Sequence, residues 1–301
     1  MIINIMEDIM EPRLEHNIHK NDVFVIFGRS GLLGREFHNK MCAVVNEYRV
    51  FGFDHSRVDI TEREQVRDVL EYLKPTIVIN CAAISDMSIC EEAKAGAFLV
   101  NAKGPAVLAV ECDAVGAKLV HMSSCCVFDG HRILPYSEKT TRSRTIDSML
   151  GKTRLAGEAA VAKACKNHLI IRPGWIFHEH GENYVTNWIN TFPEILVEDC
   201  HGSPTYIPDL VDATIELLTW GAKGAFHVAN SCSTTMQQFA ETTAAYCNSN
   251  AKVACKKRTK PNLPMYSVLS TKKYMQTTGN ELRPWQDALK QCLFNMGLYK
   301  P

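Results

Sequence analysis

The chain has 301 residues, 46% of them hydrophobic, with 33 Lys plus Arg against 33 Asp plus Glu. That length and apolar content suit one or two α/β domains with a buried core and exclude a wholly disordered chain. The even charge argues against a nucleic-acid or membrane-surface partner, and 12 scattered cysteines without a C-x-x-C pair argue against a disulfide framework or a metal cluster.

Cysteine usage points to a reducing, cytoplasmic compartment, and a small neutral or anionic ligand fits the charge balance. Residues 1–20 mix Met and Ile with acids and lack both the basic start and the apolar core of a secretory signal, so they are expected to be a mobile extension or a partner-binding arm. No run reaches the 18 apolar residues of a membrane span.

From Asp22 the pattern alternates. Val23–Phe27 reads as a strand, Gly28–Gly34 as a glycine turn and Arg35–Asn46 as a helix. Tyr48–Phe53, Thr76–Asn80, Lys118–Met122 and His168–Arg172 read as further strands. Glu62–Leu73 and Thr153–Lys166 read as helices between them, as does Ala93–Val115, where Gly104-Pro105 either kinks the helix or opens a new one. From Pro173 to Pro208 the rhythm loosens into a long loop. Then come a helix over Pro208–Trp220, a strand over Ala225–Ala229 and helices over Thr235–Tyr246 and Arg283–Asn295.

Apolar strands alternating with helices predict an α/β fold, a Rossmann-type doubly wound parallel sheet with a smaller C-terminal substrate lobe. The expected division is 21–172 for dinucleotide binding and 173–301 mainly for substrate, with 208–230 returning to the core.

Gly28-Arg29-Ser30-Gly31-Leu32-Leu33-Gly34 is G-x-x-G-x-x-G directly after a strand and opening a helix. Glycines there let the backbone approach a pyrophosphate lodged on the helix N-terminus, which predicts NAD or NADP binding. Asp54 closes the second strand, where a carboxylate favours ribose hydroxyls and NAD. Arg29 and Arg57 suit a 2′-phosphate and NADP, so the two signals conflict. Asp59 and Ile60 are expected to edge the adenine, and Cys81, Ala82 and Ala83 offer small side chains for a flat cofactor to pass.

The glycine loop is followed by NCAA at Asn80–Ala83, VNA at Val100–Ala102, SSCCVFDG at Ser123–Gly130, PYSE at Pro135–Glu138, LAGE at Leu155–Glu158, RPGW at Arg172–Trp175 and DCHGSPT at Asp199–Thr205. In that order and spacing, from about Val23 to about Trp285, the chain resembles dTDP-4-dehydrorhamnose reductases. The non-catalytic regulatory subunit of methionine adenosyltransferase is similar to the same family, so the resemblance leaves activity open.

The resemblance implies a Ser or Thr, a Tyr and a Lys, the last two in Y-x-x-x-K, with a phenol protonating the oxygen of a ketone that receives hydride. Ser124 keeps the hydroxyl, but Leu150 stands at the Tyr position and Arg154 at the Lys position. Leu cannot donate a proton, while Arg can still bind the cofactor ribose. Cys125-Cys126 replaces the family's frequent Asp-Tyr; either thiol is a candidate donor, or both are packing.

The resemblance adds Asn101 and Arg154 to the cofactor residues, places Ser123, Ser124, Cys125, Trp175, Asp199, Gly202 and Thr205 beside a nucleotide sugar, and implies a dTDP linkage for that sugar. The segment Leu263–Leu269 matches a family R-P-x-x-S-x-L pattern without its Arg. Lys256, Lys257, Arg258 and Lys260 upstream either supply that charge or form a solvated run. His178 and His180 form H-x-H without completing a metal site and are expected to be exposed loop residues. Three functions follow: a ketoreductase that is weak or changed in mechanism, a non-catalytic nucleotide-binding regulator docked on another enzyme, or an epimerase or lyase that uses the bound dinucleotide differently on a nucleotide sugar. A homodimer is a further possibility.

Overall fold

The computed structural model describes residues 18–45, 47–140, 146–256 and 263–299. In chain order the elements are β1 (Phe24–Phe27), α1 (Leu32–Val44), β2 (Val50–Phe53), α2 (Arg63–Leu73), β3 (Ile77–Asn80), α3 (Met87–Glu92), α4 (Lys94–Phe98), α5 (Gly104–Val115), β4 (Lys118–Met122), α6 (Met149–Ala164) and β5 (His168–Arg172). There follow β6 (Trp175–Phe177), α7 (Tyr184–Asn190), β7 (Glu194–Glu198), β8 (His201–Gly202), β9 (Pro204–Tyr206), α8 (Ile207–Thr219), β10 (Gly224–His227), β11 (Thr234–Thr235), α9 (Met236–Tyr246), β12 (Lys252–Lys256), α10 (Lys272–Thr278) and α11 (Trp285–Asn295).

Six strands form one sheet in the order β10-β5-β4-β3-β1-β2. All its pairs are parallel. Strands β1, β3 and β4 are buried along their whole length because helices cover both faces. On one face Phe37 and Met41 of α1 and Leu210, Val211 and Leu217 of α8 pack on Phe24, Ile26 and Val120. On the other, Leu70 of α2, Leu108 of α5 and Val161 of α6 pack on Val25, Val78 and Leu119. Full burial of each such side chain contributes about 1.5–3 kcal/mol over leaving it exposed. A third core of Phe177, Trp188, Phe239, Trp285 and Leu289 fills the C-terminal lobe and reaches Cys125, Cys126 and Leu150. No helix among the described residues is long and apolar enough to cross a membrane.

Two departures from the expected elements bear on the site. The helix expected over Ala93–Val115, with Gly104-Pro105 as a kink or a new start, is broken by a π-helical turn, Leu99–Lys103, and α5 does start at Gly104 with Pro in its first turn, where a missing N–H is tolerated. That turn holds Asn101 inside. The expected loop from Pro173 to Pro208 instead contains β6, α7, β7, β8 and β9, each no longer than seven residues. Elements this short do not repeat often enough to show a period.

Candidate functional site

Sheet order reverses at β1, whose neighbours are β3 and β2, and the carboxyl ends of these three strands open on a cavity of about 300 Å³. Gly28, Ser30, Gly31, Asp54, Asp59, Ile60, Cys81, Ala82 and Ala83 line it together with His55, Val58, Ile84 and Val100. The three glycines of the loop do different things. Gly28 has φ +80°, and a Cβ there would lie 2.5 Å from the Ala82 nitrogen; a Cβ at Gly34 would lie 2.2 Å from the Gly28 oxygen. Those two close the turn against β3 and itself. A Cβ at Gly31 would meet only the Gly28 oxygen, at an ordinary 3.5 Å, so the bare backbone there is not demanded by packing. Gly31 is also the N-cap of α1, with no side chain capping the first-turn amides, which leaves that end of a 13-residue helix open to an anion. Bare backbone, open amides and the small Cys81–Ala83 wall fit a dinucleotide.

Beside it, Arg29, His38, Gly52, Asp54 and Arg57 line a second cavity of about 390 Å³. Both sides of the conflict seen in the sequence therefore meet in one place. One Asp54 oxygen is already engaged by Ser56, at 3.1 Å from its amide and 2.5 Å from its hydroxyl, and that hydroxyl holds the carboxyl below the usual range. Burial, with Arg29 second, lowers the His38 pKa, so the cationic groups facing the cavity are the two arginines. Leu33 packs into the α1 core and lines neither cavity. Asn101 does not line them either: its amide clamps both backbone groups of Ile84 at 2.9 Å and donates to Thr153 on α6 at 3.2 Å, so it shapes the wall.

A third cavity of about 430 Å³ lies between the ends of β4 and β5, α6 and the lobe. Ser123, Ser124, Cys125, Cys126, Leu150, Arg154 and Trp175 border it, with Leu32 from the glycine loop, Leu263 from the segment that matches R-P-x-x-S-x-L, and Asn183, Tyr184 and Asn187 from a segment with no sequence signal. Ser124 caps the short 3₁₀ turn Cys125–Val127, accepting from the Cys126 amide at 2.9 Å. Ser123 is committed elsewhere, its hydroxyl donating at 2.5 Å to Glu158, which forms a fully buried two-pronged pair with Arg172. Helix α6 starts at Met149, capped by Ser148, four residues before the expected Thr153, and so carries both Leu150 and Arg154.

Arg154 is 8% exposed. Its Nη1 donates to the Met122 carbonyl at 2.6 Å, while its Nε has no partner. Burial lowers its pKa, opposed by the nearby Cys126, Cys90 and Cys81 thiols and by Glu158. No carboxylate forms a salt bridge with it among the described residues, so a buried cation faces the cavity with donors to spare. Cys126 becomes the more acidic of the vicinal thiols through hydrogen bonds from Cys125 and Ser124 and the charge of Arg154, which together outweigh burial. Cys125 is correspondingly held high.

Trp175 presents its indole to the cavity, backed by Gly202, where a Cβ would come within 2.4 Å of the ring. Gly202 thus sets the ring from behind. Thr205 is fully buried, accepting from the Gly174 amide at 3.1 Å and donating to Ser203, and Asp199 is exposed in the turn before β8; neither lines the cavity. The H-x-H pair divides. His180 is exposed as expected, whereas His178 is buried, accepting from the His180 amide at 3.1 Å, with its Nε2 3.6 Å from Glu179 and 3.8 Å from Glu36. Its ring packs against Tyr206, because β6 carries the chain inward here. Lys256 pairs with Glu198 at 3.6 Å, and Lys257, Arg258 and Lys260 lie outside the described residues, as do residues 1–17 of the expected extension.

Known proteins are similar to this chain in sequence and fold. The spore coat polysaccharide biosynthesis protein SpsK of Bacillus subtilis is 31% identical over 281 residues, covering 89% of this chain and 96% of that protein. A dTDP-4-dehydrorhamnose reductase of Streptomyces griseus is 31% identical over 289 residues, covering 89% and 92%. The crystal structure of dTDP-4-dehydrorhamnose reductase from Bacillus anthracis in complex with NADP superimposes with a TM-score of 0.85 at 29% identity, over 91% of this chain and 99% of that one. With its Rossmann-type sheet, its glycine loop and a family match over residues 23–297, the chain belongs to the RmlD substrate binding domain family.

Proposed function

We propose that the chain is an NAD(P)H-dependent ketoreductase for a dTDP-linked 4-keto-6-deoxy sugar, working by a mechanism changed at the proton donor. The observation that carries this reading is Arg154, a buried guanidinium with no salt-bridged carboxylate among the described residues, turned with Ser124 into the cavity that adjoins the glycine loop. The α1 amides hold the pyrophosphate, and Arg29 and Arg57 take a 2′-phosphate, which favours NADPH over NADH. A bound reduced nicotinamide supplies hydride. Ser124 and Arg154 direct hydrogen bonds at the oxygen on which charge develops, Arg154 also reaching the cofactor ribose, in a site shielded by Leu150 and Trp175. Free thiols at all 12 cysteines suit a cytoplasmic setting.

Leu150 donates no proton, and that observation favours the second reading, a nucleotide-binding regulatory subunit. Calorimetric titration with NADPH and NADH, followed by addition of a dTDP-4-keto-6-deoxy sugar with absorbance monitoring of the nicotinamide, separates the two. Binding with turnover is expected. Binding without turnover would favour the regulator, and failure to bind either dinucleotide would exclude both.

A further inference from the structure

The cavity holds a phenol that the sequence pattern did not single out. Tyr184 opens α7 and shares the cavity with Ser124, Leu150 and Arg154. Its hydroxyl makes no hydrogen bond among the described residues. The phenols of Tyr136 and Tyr206 are spent, donating to Asp129 at 2.8 Å and to Glu179 at 2.9 Å. The Tyr184 ring is fixed by Trp175 and Trp188, with centroids 6.5 and 5.9 Å away.

The backbone that carries it is fixed as well. Asn183 caps α7 through the Val185 and Thr186 amides, and its Nδ2 donates to the carbonyls of His178, His180 and Gly181. Gly181 packs on Leu32 of the glycine loop, where a Cβ would come within 2.6 Å of Leu32 Cδ2. A free, oriented phenol therefore stands in a cavity registered to the dinucleotide loop.

We propose that Tyr184 donates the proton to the substrate's carbonyl oxygen, supplying what Leu150 cannot; the assignment rests on the reductase reading above. The ketone carbon gains a hydride, with its electron pair, from the reduced nicotinamide dinucleotide, which is oxidised. The carbonyl π pair moves to oxygen, the Tyr184 O–H bond breaks, and its proton completes the alcohol. Water at the cavity mouth then reprotonates the phenolate. Burial, reinforced by Cys126 and Cys125, pushes the Tyr184 pKa up, so the proton is in place across the neutral range.

The test compares the full-length wild-type chain with Tyr184→Phe, which keeps the ring and its packing. With NADPH and a dTDP-4-keto-6-deoxy sugar, kcat is expected to fall by about 10²–10⁴, with the NADPH Kd and the thermal midpoint unchanged. A second readout needs no dinucleotide: binding of the dTDP-linked alcohol product to the free protein should weaken about three- to tenfold on loss of one hydrogen bond. A wild-type chain that turns over, paired with a Tyr184→Phe variant within threefold of it and equal product binding, would overturn the assignment while leaving the reductase reading intact. A wild-type chain that binds dinucleotide without turning over would overturn the reductase reading and this assignment with it.

Discussion

Arg154 keeps its charge in a place where charge is expensive. One backbone carbonyl and neighbouring thiols are weak compensation for a guanidinium 8% exposed, and a buried charge held this way is retained at the expense of stability. Arg154→Met, which keeps the length and removes the charge, is expected to leave the unfolding free energy unchanged or raise it by about 1 kcal/mol or more, while weakening NADPH at least tenfold. Urea unfolding and calorimetry measure the two; a large loss of stability with unchanged affinity would make Arg154 a structural residue. The sequence singled out this residue and Leu150 through the Y-x-x-x-K positions that the family resemblance implies. It did not reveal that Ser123, next to Ser124, is turned away to Glu158, because the two hydroxyls differ only in which face of the chain they leave.

Within the first βα unit, packing and ligand approach fall on different glycines. Gly34→Ala would force a Cβ within 2.2 Å of the Gly28 oxygen, so α1 must shift, with a stability loss of about 1–3 kcal/mol. Gly31→Ala has room for its Cβ; it is expected to keep the melting temperature of the wild type and to lose dinucleotide affinity alone. Equal destabilisation by the two substitutions would contradict this division. Strands β4 and β5 begin and end where the sequence places them, since each is an apolar run cut off by polar or helix-breaking residues. Helix α7 was not legible: at seven residues it is held by the Asn183 cap and by Trp188 against Phe239, which are contacts rather than a pattern.

Across the whole molecule, two imidazoles sit inside the sheet and its covering layer. His121 is buried beside Asn80 and His227 beside Arg172, and burial, helped by Arg154 and Arg172 respectively, brings both pKa values from 6.5 down to about 3. The unfolded chain binds protons at these histidines below about pH 6.5, and the native chain binds none until about pH 3. The stability they confer is thus full above pH 6.5 and is lost as pH falls between those values, with a slope near 1.4 kcal/mol per pH unit for each group. Urea midpoints measured from pH 7.5 to 4.5 should fall, and His121→Asn should flatten the slope by about half; a midpoint independent of pH in wild type would refute this.

The parallel doubly wound sheet, the glycine loop and the positions of Leu150 and Arg154 were determined by the sequence alone. Local apolar periodicity and the glycine spacing encode the sheet and the loop, the resemblance to the family's Y-x-x-x-K motif marks Leu150 and Arg154, and none of these needs a distant partner. Tertiary structure decided which side chains share a cavity: it set Tyr184 beside Ser124 and Arg154, put Trp175 against Gly202, tied the Ser123 hydroxyl at the cavity border to Glu158, and kept Asn101, Asp199 and Thr205 out of the lining. Residues 60 positions apart meet there only because β4, α6 and the lobe pack together, and no window of sequence contains that contact.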